Sequence, residues 1–72
     1  MVVHQDIEEA LEQTAGIYAV AEGDGKAITI SGLIMSESQR RTALQIAAKI
    51  QPDQTIVDNL ELATLAPEAA GV

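Results

Sequence analysis

The chain has 72 residues, a formal charge of −7 at neutral pH and no cysteine. Such a length supports one small core and no second domain, and the lack of thiols excludes a disulfide framework, a thiolate zinc site and a cysteine nucleophile. The apolar share of 47% comes from Ala, Ile, Leu and Val, with one tyrosine and neither Phe nor Trp, so small aliphatic side chains must close the core without an aromatic ring.

The start, "MVVHQDIEEAL", lacks the basic and apolar runs of a signal peptide, and no segment approaches the roughly 20 apolar residues of a membrane span. The expectation is a soluble, cytoplasmic chain that does not span a membrane, or a periplasmic or cell-envelope one if it is part of an exported protein. Excess acid opposes nucleic acid and, on average, anionic membrane, because both are bound through Lys and Arg. Three of the four basic residues, Arg40, Arg41 and Lys49, nevertheless share one segment.

Residues 1–5 carry no periodicity and read as a flexible amino terminus holding the single histidine, His4. Asp6 followed by Glu9 has capping-box character, which predicts a helix from about Ile7. Ile7, Ala10, Leu11 and Thr14 form its apolar stripe, Glu8, Glu9, Glu12 and Gln13 the opposite side, and Gly16 its end. Residues 17–22 and 27–34 read as two strands joined across "GDG" at Gly23 to Gly25, a β-hairpin. In the second strand Ile28, Ile30 and Ile34 share a face with Gly32.

Ser36, Glu37 and Gln39 mark a second helix that runs to Ile50, before Pro52. Ala43, Ile46, Ala47 and Ile50 make its stripe, Arg41 and Lys49 point away, and Arg40 lies near the rim with its guanidinium in water. After "QPDQ", residues 55–63 read as a third strand with Ile56, Asp58, Leu60 and Leu62 on one parity. Residues 64–72 read as a flexible tail or linker remnant.

The expected fold is α+β, an α/β sandwich of order α-β-β-α-β: a three-stranded mixed sheet with two helices packed on one face. Two residues carry structural expectations. Gly32 on the covered face either lets a crossing helix approach the sheet backbone or marks a β-bulge. Asp58, a carboxylate on core parity, must be hydrogen-bonded or lie near the sheet edge, and is read as a cap for neighbouring backbone amides.

Three pieces give the chain a likeness: "ITISGLI", the helix "SESQRRTALQIAAKI" and "IVDNLEL". With the first helix they cover residues 6–63, and in their order and spacing they resemble the BON domain family, named for bacterial osmotic-shock and nodulation proteins. The turn "QPDQT" departs from the glycine and valine common there. The resemblance implies an α/β sandwich, no catalytic residues, and a role in binding phospholipid or membrane surfaces.

No residue pattern announces catalysis, a metal or a cofactor. His4 has no fixed partner, the carboxylates Glu8, Glu9 and Glu12 read as a solvated face, and "GDG" reads as a turn because no P-loop or EF-hand ligands follow it. The expected function is a non-enzymatic binding module of BON type, contacting a phospholipid surface or a protein partner, with Arg40, Arg41 and Lys49 as the candidate anionic-surface contact. Tyr18, Leu33 or Met35 exposed beside that patch would strengthen it. The alternative is a structural unit that self-associates through a strand edge, making a homo-oligomer.

Overall fold

The structure is a computed structural model that describes residues 2–63. Its elements are β1 (Val2–Val3), α1 (Gln5–Ala15), β2 (Ala19–Gly23), β3 (Ala27–Ile34), α2 (Glu37–Ile50) and β4 (Thr55–Leu62). The sheet therefore has four strands in spatial order β1-β2-β3-β4, antiparallel except for the parallel pair β3 and β4. This corrects the expected three strands and the order α-β-β-α-β to a four-stranded mixed sheet of order β-α-β-β-α-β. Two residues cannot show an alternation, and β1 exists only because Val2 and Val3 pair with Gly23 and Glu22. The tail expected over residues 64–72 lies outside the described residues.

That pairing also moves the start of α1. His4 N–H donates to Ala21 O at 2.8 Å, which ties the chain to β2 and lets the helix begin at Gln5 with His4 as its N-cap residue. Asp6 thus sits inside the first turn, where Oδ1 accepts from Ile7 N–H at 2.9 Å, and the capping box expected with Glu9 does not form. At the other end Gly16 takes φ 68°, and Ile17 N–H reaches back to Leu11 O at 3.0 Å, so the last turn closes and Ile17 drops into the core. On α2 the Ser36 hydroxyl accepts from Gln39 N–H at 3.3 Å, which is the start read from sequence.

Both helices contribute to one core on one face of the sheet. Ile7 and Leu11 of α1 and Ala43 and Ala47 of α2 meet Ala21, Ile28, Ile30, Ile34 and Leu60 of the strands, with Ile17 closing the end. Ile46, Ile50 and Ile56 pack at the rim. The α2 stripe presents only methyl groups at its most buried points, which suits a core without aromatic rings.

The register of β3 is unbroken against both neighbours, so Gly32 is not a bulge. A Cβ built there would stand 2.9 Å from Tyr18 O and 3.1 Å from Ala19 Cα. The glycine accommodates the backbone of the neighbouring strand, not the crossing helix that the sequence suggested.

Candidate functional site

The three basic residues of α2 do not form one patch. Arg40 turns toward β4: Nη1 donates to Asp58 Oδ1 and Oδ2 at 3.0 and 2.8 Å and to Leu60 O at 3.0 Å, while Nε donates to Glu37 Oε1 at 2.7 Å. These carboxylates, Glu37 first and Asp58 second, raise the guanidinium pKa above its already high ordinary value. Arg41 and Lys49 are exposed on the outer side of α2. What the sequence grouped by proximity, the structure divides into one clasped cation and two that face solvent.

Asp58 is half of this clasp. Its Oδ1 also accepts from Leu60 N–H at 3.0 Å, and that bond, followed by Arg40, holds the carboxyl below the usual aspartate range. Both backbone groups of Leu60 are therefore taken by side chains, its N–H by Asp58 and its C=O by Arg40. Alternate residues of a strand direct these groups to opposite edges. Thr55 N–H and Ala63 N–H bond to Lys26 O and Ile34 O, on the β3 side, so the even-numbered residues, Leu60 among them, face outward.

The opposite edge of the sheet is closed at its own centre. Ala21 N–H donates to Glu8 Oε2 at 2.9 Å and Ala21 O accepts from His4 N–H, next to the pairing of β1 with Glu22 and Gly23. Glu8, read as part of a solvated acidic face, is here a cap for a strand. Nothing in the sequence signals it, because the contact spans 13 positions and depends on how α1 lies over β2. His4 sits against Gly23, where an added Cβ would stand 2.8 Å from Nε2.

The face of the sheet away from the helices carries Val3, Val20, Glu22, Thr29, Ser31, Leu33, Val57, Asn59 and Glu61, which the registers bring side by side. Tyr18 precedes β2 with the same parity as Val20, and Met35 follows β3 with the parity of Leu33. Tyr18 is 74% exposed, Met35 63% and Leu33 62%, and Val3, Val20 and Val57 are exposed as well. Sequence reasoning singled out Tyr18, Leu33 and Met35 without placing them, and it missed the three valines, because each is an ordinary strand residue until register aligns them. The cations Arg41 and Lys49 lie on α2, across the sheet from this surface, so the apolar and basic features are not adjacent.

"GDG" is a side-chain-stabilised turn, in which Asp24 Oδ1 accepts from Lys26 N–H at 3.0 Å and Ala27 N–H at 3.1 Å; these two bonds hold its carboxyl below the usual range. Among the described residues no three His, Asp or Glu side chains converge as metal donors, and no helix is long and apolar enough to cross a membrane.

Fold and surfaces together define a small α+β domain with one helix-covered sheet face, one solvent-facing sheet face of mixed apolar and polar side chains, and edges capped at Ala21 and Leu60. No protein-family model matches the chain, and no curated protein does.

Proposed function

We propose that the protein is a non-enzymatic binding module of BON type that engages a protein partner through the open face of its sheet. The observation that carries this reading is the cluster of exposed Tyr18, Val20, Leu33 and Met35 on one face, with Val57 on the same face beyond Thr29 and Ser31 and Val3 at the margin. Neighbouring Ser31, Asn59 and Glu61 add hydrogen-bonding groups, and an apolar cluster with interspersed polar groups suits a protein interface. A phospholipid surface has less in its favour. Arg41 and Lys49 offer about 1 kcal/mol each near an anionic bilayer, opposed by the −7 charge of the chain. Self-association through a strand edge, the alternative reading, has against it that both edges are capped at their centres.

A photo-crosslinking residue placed at Leu33 and, separately, at Arg41 tests the reading in whole-cell extract. The expected result is a discrete protein adduct from position 33, absent from position 41 and lost when Tyr18 and Val57 are changed to Ser. Sedimentation with anionic vesicles that disappears in Arg41→Glu, Lys49→Glu would instead move the working surface to α2 and overturn the open-face reading.

A further inference from the structure

β4 is an eight-residue strand at the edge of the sheet, a place where another strand can add through backbone hydrogen bonds. Its outward-facing residues are Ile56, Asp58, Leu60 and Leu62. At Leu60 the side chains of Arg40 and Asp58 occupy the N–H and the C=O that an incoming strand would need. We infer that the Arg40–Asp58 clasp is a guard that keeps β4 from pairing with β4 of a second copy of this chain.

The occupant is specified by the strand itself. Two copies of β4 laid antiparallel about Asn59 place Ile56 opposite Leu62, Val57 opposite Glu61 and Asp58 opposite Leu60. That register keeps the two Asp58 carboxylates from facing one another, puts Ile56 and Leu62 on the same helix-side surface, and joins two four-stranded sheets into one. In it the Leu60 N–H and C=O bond to Asp58 of the second copy, and this requires both groups to leave the clasp. Registers shifted by two residues that retain Leu60 in the ladder make the same demand. Arg40 reaches the edge from α2 and Asp58 from β4 itself, so the guard is assembled only in the folded chain. It is independent of the open sheet face, which lies on a different surface.

The guard is tested by removing both of its members in the double variant Arg40→Met, Asp58→Val, which leaves only the exposed Glu37 carboxylate in water. Sedimentation equilibrium should report a mass of one chain for the Asn59→Cys variant with the clasp intact. With the clasp removed, the mass should double. Oxidation should then link the two Cys side chains across the two-fold pairing, while Asn59→Cys with the clasp intact gives no linked dimer. A clasp-free variant with native circular dichroism that stays one chain and does not cross-link overturns the inference. A second measurement needs no variant. The Leu60 amide of the wild-type protein should exchange with solvent more slowly than the Ile56 and Leu62 amides at the same edge. Equal rates for the three would mean that the clasp does not cover the edge, and would overturn the inference whatever the double variant does.

Discussion

The two edges of the sheet meet the same difficulty in different ways. At the β2 edge, cover comes mainly from the backbone: Val2 and Val3 pair with it, His4 N–H binds Ala21 O, and a single side chain, Glu8, completes the seal. At the β4 edge, cover comes from side chains alone, two charged groups meeting over one residue. Backbone cover depends on topology and hardly at all on pH or composition. A side-chain clasp can be undone by one substitution, by acid or by a competing strand. The β4 edge is thus the conditional one, and the β2 edge the permanent one.

The largest expected effect lies between the edges, where β2 and β3 must stay paired for either seal to matter. Gly32→Val places a Cβ against Tyr18 O and Ala19 Cα and should lower stability on the order of 2–3 kcal/mol in urea unfolding. A value under about 0.5 kcal/mol would mean that β2 can give way. Next comes Glu8→Ala, which leaves the Ala21 N–H without its acceptor under α1 and should cost about 1 kcal/mol. Glu9→Ala and Glu12→Ala, at exposed positions of the same helix, should stay within about 0.5 kcal/mol. Equal losses from all three would remove Glu8 from the seal.

Acid should act on the β4 edge through Asp58. Because the folded state depresses the Asp58 pKa, its carboxylate contributes stability above the unfolded value of about 3.9, and that contribution is lost as pH falls through the lower folded value. Thermal melts from pH 5 down to pH 2 should therefore show a decline that Asp58→Asn flattens. Asp24 follows the same sign at the hairpin turn, so some slope persists in that variant. An unchanged slope in Asp58→Asn would show that the clasp carries little of the acid sensitivity. The smallest effect is expected from Arg41→Ala, Lys49→Ala: stability should move by less than about 0.5 kcal/mol, since both side chains are exposed. A larger loss than that caused by Arg40→Ala would invert the division of roles on α2.

Much of this was legible in the residues. The stripe of Ala43 and Ala47, the alternation of Ile28, Ile30 and Ile34, Ser36 at a helix start and Gly16 at a helix end are local patterns, and each forms as its spacing implies. Arg40 was legible only in part: its position near the α2 rim follows from helical spacing, but its partner lies 18 residues away on another element. Val3, Val20 and Val57 come from three different strands, and no property of any one of them marks a shared surface.

The sequence by itself determined the two helices, the hairpin, the last strand and most of the apolar set that becomes the core, because those depend on periodicities repeated over several residues; that Ile17 and Ala21 join the core while Thr14 of the expected stripe is exposed was decided by the tertiary structure. Tertiary structure decided the fourth strand, the reason for Gly32, the split of the basic residues and the sealing of both edges. Each of these is a meeting of groups distant along the chain, fixed by strand register and by how the helices lie on the sheet, and a pattern read residue by residue contains neither.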